Sequence, residues 1–88
     1  MAYEISFNKR FENKLVSLLA YLEKEWGKKV ADDFLHKVDL RIISLQHHPF
    51  IGTLTTIKKV RGIHITKHNR IYYKVVNNKV TILNLYDT

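Results

Sequence analysis

The sequence predicts an α+β fold: a two-helix hairpin packed on one face of a mainly antiparallel four-stranded sheet, in the order strand, helix, helix, strand, strand, strand. Three observations lead there. The spacing of apolar residues changes from two to three-and-four and back to two along the chain. Gly27 divides the helical stretch. Beyond Pro49 the composition turns to β-branched and aromatic residues, broken by short polar pairs.

Tyr3, Ile5 and Phe7 alternate with Glu4 and Ser6, giving a short strand with one apolar face. Phe11, Leu15, Leu18, Leu19, Leu22 and Trp26 then recur at helical spacing, so a helix runs from about Asn8, a good N-cap, to Trp26. Gly27 accepts the positive φ that ends a helix. The pattern restarts with Ala31, Phe34, Leu35, Val38, Ile42 and Leu45, and the second helix stops near His47, because the residue before Pro49 is pushed out of the helical region. No period holds from Phe50 to Ile57, which reads as a loop. Three strands follow, separated at Lys67-His68-Asn69 and at Asn77-Asn78. The last, Val80 to Tyr86, is apolar on both faces, as in a central strand. With the helices over one face, the other is left open.

At 88 residues the chain supports one core and hence one domain, 1–88. Hydrophobic residues make up 45%, which suits a packed globule. Apolar runs fall short of the roughly eighteen residues a membrane span needs. The opening Met1-Ala2-Tyr3-Glu4-Ile5 lacks a signal-peptide layout, so a cytoplasmic protein without a membrane partner is expected. Absence of cysteine excludes disulfides, thiol nucleophiles and thiolate zinc sites. Net charge is +7, and its distribution is uneven. Residues 1–57 hold eight Lys/Arg against seven Asp/Glu, whereas 58–88 hold seven against Asp87 alone. Such a surface attracts phosphate backbones or an acidic protein segment, although basic charge also serves plain solubility.

No Gly-rich phosphate loop, His-Glu-x-x-His helix or serine elbow is present. The chemistry that remains lies in Lys58, Lys59, Arg61, His64, Lys67, His68 and Arg70, with Tyr72, Tyr73 and Tyr86 close by. Cleaving RNA through its own 2′-hydroxyl needs a base, a cation for the phosphorane and a donor for the leaving oxygen; basic side chains supply all three, and aromatic rings stack on unpaired bases. Arg61 and Arg70 carry most weight, since guanidinium grips phosphate through two parallel hydrogen bonds. His68, in a turn, is the better acid/base candidate, and an ordinary solvent-facing histidine is its plain alternative. His64 and His68 lie four apart on a strand and turn, a poor spacing for metal, so neither a metal nor a cofactor is expected. His47 and His48 suit the end of a helix, and His36 its exposed side. Trp26, Phe34 and the leucine stripes belong to the core, as does Tyr73 with its hydroxyl satisfied.

Taken in order, Trp26-Gly27, Ala31, Phe34, Pro49 and Gly52, Val60-Arg61, His68-x-Arg70-Ile71-x-Tyr73-x-Val75 and Val80-x-Ile82-Leu83 resemble the RelE/ParE superfamily of toxins, once grouped as plasmid stabilization proteins. The resemblance spans essentially the whole chain. It implies a type II toxin that arrests growth and is neutralised by a cognate antitoxin, whose acidic C-terminal segment would meet the basic face. RelE-like members cut mRNA on the ribosome; ParE-like members inhibit DNA gyrase and have no nuclease activity. The first expectation is a metal-independent endoribonuclease: Arg61 and Arg70 on the scissile phosphate, His68 or Lys59 moving protons, and Lys58, Lys67, His64, Tyr72 and Tyr86 holding RNA. The alternatives are a ParE-like gyrase inhibitor and a basic antitoxin-binding module without toxicity. RelE-like proteins also use an arginine and a tyrosine after the last strand, and Tyr86 substitutes only if it faces the open side. The reading of a single basic working surface requires Arg61 and Arg70 to face the same way.

Overall fold

The computed structural model describes residues 2–87. The elements are β1 (Glu4–Phe7), α1 (Lys9–Trp26), α2 (Lys28–His47), β2 (Thr53–Leu54), β3 (Val60–Thr66), β4 (Asn69–Val76) and β5 (Lys79–Asp87). They form one five-stranded sheet in the order β1-β5-β4-β3-β2. β1 pairs with β5 in parallel and the other pairings are antiparallel. The predicted architecture is therefore present, with five strands instead of four. The fifth, β2, lies in the segment expected to be a loop. Two residues cannot display a period; Thr53 and Leu54 become a strand by pairing with Gly62 and Arg61.

Asn8 caps α1 as expected, its side chain accepting from the Arg10 backbone N–H at 2.9 Å. Gly27, with φ +96°, serves as C-cap of α1 and N-cap of α2 at once. The helical hairpin covers one sheet face, where Phe11, Phe34, Val38 and Leu45 meet Ile65, Ile71, Tyr73, Val80, Ile82 and Leu85. Burial declines along α1 toward the hairpin tip: Phe11 is 1% exposed and Trp26 68%. Trp26 is thus not a core residue. It continues the apolar stripe to the last position of its helix, where the stripe has run past the packed interface.

Two irregularities set which way the strands' side chains point. The β4–β5 register shifts between Tyr72, opposite Asn84, and Tyr73, opposite Ile82. Leu83 is the extra residue of a β-bulge. A second shift, between His64 and Thr66, lies beside the turn at Lys67-His68. That turn is stitched by the Thr66 hydroxyl, which donates to Asn69 Oδ1 at 2.8 Å and accepts from the His68 N–H at 3.1 Å. The other turn is Asn77-Asn78, with Asn77 at φ +54°. Among the described residues no helix is long and apolar enough to cross a membrane.

Candidate functional site

Arg61 and Arg70 point to opposite faces. Arg61 lies opposite Tyr73 and in phase with Ile63 and Ile65, all turned toward the helices. Arg70 lies opposite His64 on one side and Tyr86 on the other, in phase with Tyr72 and out of phase with buried Ile71 and Tyr73. The expected pair of phosphate-gripping arginines is not assembled on one surface. Neither is tied to a carboxylate, for no ion pair of either occurs among the described residues.

Arg61 is occupied by its own chain. Its Nη1 donates to the Gly52 carbonyl at 2.8 Å and the Phe50 carbonyl at 3.2 Å, and its guanidinium lies 5.2 Å from the Phe50 ring centroid. Gly52 is held from both sides, because its N–H donates to the buried Tyr73 hydroxyl at 2.9 Å. A Cβ at Gly52 would come within 2.5 Å of that hydroxyl, so only glycine fits. Burial raises the Tyr73 pKa above 10.0, opposed by the Gly52 hydrogen bond and the charge of Arg61. This corner fixes the chain from Phe50 to β2 against the sheet. The expectation that the Tyr73 hydroxyl is satisfied in the core holds.

The opposite face carries a groove of about 860 Å³. Arg70, Tyr72, Asn84 and Tyr86 form part of its lining; Leu54, Thr55, Thr56, Ile57 and Val60 of β2, the following turn and β3 contribute on one side, and Asn8 and Arg10 at the start of α1 on another. The bulge at Leu83 makes this possible. Asn84 and Tyr86 would otherwise alternate onto the helix side with Ile82; the extra residue returns them to the open face. Tyr86 accordingly faces the open side, its ring 5.4 Å from that of Tyr72 and its hydroxyl 3.0 Å from Asn84 Nδ2. Arg70 lies with its guanidinium 5.5 Å from the Tyr72 ring centroid. A Cβ on Gly62 would stand 3.0 Å from Arg70 Nη2, so the bare Gly62 backbone makes room for the guanidinium. Arg70 Nε is buried and has no hydrogen-bond partner among the described residues.

Of the residues singled out in the sequence, the groove brings together Arg70, Tyr72 and Tyr86. Lys58, Lys59, Lys67 and His68 are exposed on the turns flanking β3, with Lys59 at φ +66°. His64 is exposed on the open face beside Arg70 but does not line the groove. Arg10, Asn84 and the apolar wall of Leu54 and Ile57 escaped notice. Asn84 alone carried a signal, as a polar residue inside the apolar run of β5. The segment's one acidic residue, Asp87, accepts from Asn69 Nδ2 at 2.6 Å.

A model of the ParE toxin of the type II toxin–antitoxin system parDE matches residues 5–87. The chain belongs to the ParE toxin family. No curated protein matches its sequence. Among solved structures it is similar to the chromosomal ParDE toxin–antitoxin system of P. aeruginosa: TM-score 0.85, 12% identity, 99% of this chain and 97% of the other covered. It is also similar to the DinJ-YafQ complex of E. coli, with TM-score 0.69 and 12% identity over 99% of this chain and 93% of the other. For the RelBE2 complex of Mycobacterium tuberculosis the TM-score is 0.66 and identity 15%, over 100% of both chains. Identities this low speak to a shared fold. In this ParE-family chain, the fold presents two different arginine environments, one filled by its own backbone and one open.

Proposed function

We propose that this ParE-family toxin arrests growth by binding a protein target, DNA gyrase, and not by cutting RNA. The observation that carries this is the separation of Arg61 and Arg70 onto opposite sheet faces. Transesterification of RNA needs cation, base and acid around a single phosphate. Here Arg61 is spent on two backbone carbonyls, and His68 and Lys59 stand on turns outside the groove that holds Arg70. The weight therefore moves from the endoribonuclease first expected to the alternative. Match to the ParE family, and a TM-score of 0.85 to a ParDE system against 0.69 and 0.66 to the YafQ and RelBE2 complexes, support the same choice.

A cognate antitoxin bearing an acidic segment is the natural partner of the open face, where Arg70, Lys74 and Lys79 have no carboxylate bound to them among the described residues. The deciding experiment uses purified toxin with gyrase and, in parallel, maps RNA ends in cells after induction. Supercoiling should fall with added toxin while transcripts stay intact. Unimpaired supercoiling together with new 5′ ends inside translated codons would return the nuclease to first place.

A further inference from the structure

We infer that the outer edge of β1 pairs with the same edge of a second copy of this chain, joining the two sheets into one continuous sheet about a two-fold axis at Ser6. β1 ends the sheet. Its parallel pairing turns the N–H and C=O of alternate residues toward β5, where Glu4 and Asn8 donate to the Asn78 and Ile82 carbonyls at 3.0 and 2.8 Å. Those of Ile5 and Phe7 consequently point outward, and none of them bonds to another described residue. Tyr3, next in the same phase, is already held by Gln46 of α2, whose carbonyl accepts the Tyr3 N–H at 2.9 Å and whose side chain donates to the Tyr3 carbonyl at 3.4 Å. The open ladder therefore runs from Ile5 to Phe7.

A second β1, running antiparallel, fits that length. With Ser6 opposite Ser6, Ile5 of each copy lies opposite Phe7 of the other, and each such pair exchanges both its hydrogen bonds. Past Phe7 the second copy turns into its α1, at the point where Gln46 closes the edge. The side chains agree with this register. On the helix side Ile5 packs on the core, and Phe7, 43% exposed, stacks on Phe11 with centroids 5.8 Å apart, leaving ring surface for the opposed Ile5. On the open side Glu4 comes opposite Asn8 and close to Arg10 of the other copy, and neither Glu4 nor Arg10 has an ion pair among the described residues. The axis makes that charge match twice. The far edge differs: β2 is two residues long and leads to Lys58 and Lys59, a common protection against strand addition. β1 carries no lysine, proline or bulge.

The test uses the free chain and two readouts. Sedimentation equilibrium should give a dimer, twice 10.4 kDa, that dissociates on dilution. Hydrogen exchange followed by NMR should find the Ile5 and Phe7 amides protected in the dimer and fast-exchanging on dilution, while Ser6, paired to β5, stays protected throughout. Glu4→Arg or Arg10→Glu alone should raise the dissociation constant about 10-fold, through lost attraction and added repulsion at two symmetric sites, and the two together should restore it. A chain that stays monomeric at millimolar concentration, a dimer whose Ile5 and Phe7 amides exchange freely, or a double exchange that restores nothing would each overturn the inference. So would protection that appears only when an antitoxin is added, which assigns the edge to that partner instead. Gyrase enters neither readout, so the outcome is independent of how the toxin arrests growth.

Discussion

Arg61 and Arg70 sit on neighbouring strands, and each lies against an aromatic ring and close to a glycine, yet they occupy opposite kinds of site. At the Arg61 corner the donors have acceptors: guanidinium to the Phe50 and Gly52 carbonyls, Gly52 N–H to the Tyr73 hydroxyl. On the open face, Arg70 keeps a buried Nε that nothing among the described residues satisfies. Buried polar groups in folded proteins are nearly always paired, so the first arrangement is what stability produces and the second is what binding leaves behind. The contrast teaches that two arginines of similar sequence context divide between architecture and function by which face the strand turns them to.

The sharpest way to break the contrast is at Gly52. Gly52→Ala forces a methyl group to within 2.5 Å of the Tyr73 hydroxyl and 2.9 Å of the Gly62 carbonyl. The corner must open, losing its hydrogen bonds as well as its packing, at a cost of about 3 kcal/mol or more. Thermal unfolding should show a fall of more than about 12 °C for a domain of this size. A near-wild-type melting temperature would mean that the corner contributes nothing to the fold.

Tyr73→Phe comes next. It keeps the ring and strands the Gly52 N–H without its acceptor, for a loss of about 2 kcal/mol. The same group gives a pH signature. Burial raises the Tyr73 pKa in the folded chain, so above pH 10.0 the unfolded state loses the proton first and the folded state binds more protons. Stability from this source is complete below that pH and falls as pH rises toward the folded value. Denaturant titrations across the alkaline range should therefore be steeper in pH for the wild type than for Tyr73→Phe. Parallel curves would remove Tyr73 from the account.

Much of this was legible in the sequence, and the rest was hidden for identifiable reasons. The change of hydrophobic period revealed the element order, and Gly27 and Pro49 marked the helix boundaries to within a residue or two. β2 was invisible, because two residues have no period and its partner strand decides it. Trp26 misled because a stripe identifies a helix's inward face without revealing how far the sheet extends beneath it. The facing of Arg61 and Arg70 was in fact encoded: Arg61 is in phase with Ile63 and Ile65, and Arg70 out of phase with Ile71 and Tyr73. Charge density drew both into one cluster when alternation already separated them. Tyr86 is the reverse case, since counting by twos from Ile82 points it inward and the bulge at Leu83, which no turn residue announces, points it out.

Arg61→Ala should cost less than either corner change, about 1 to 2 kcal/mol, because Tyr73 still holds Gly52 when the guanidinium is gone. Growth arrest should then weaken only as far as folded protein is lost, and return when the variant is assayed at lower temperature. Arrest that vanishes from a fully folded Arg61→Ala protein would place Arg61 back at a working surface and restore the expectation of two cooperating arginines.

The smallest effect on stability belongs to Arg70→Ala, and it is the most informative. Removing this side chain gives up its contact with the Tyr72 ring, worth about 0.5 to 1 kcal/mol at a half-exposed site. It also removes a desolvated donor that had no acceptor, which acts in the opposite direction with similar size. The two should nearly cancel, leaving unfolding free energy within about 0.5 kcal/mol of wild type, whereas growth arrest on induction should be lost. A stabilising or neutral change that abolishes arrest is the mark of a residue kept for a ligand. If instead Arg70→Ala unfolds as readily as Tyr73→Phe, then Arg70 is architectural too, and the open face is merely a second corner whose acceptor lies elsewhere in the chain.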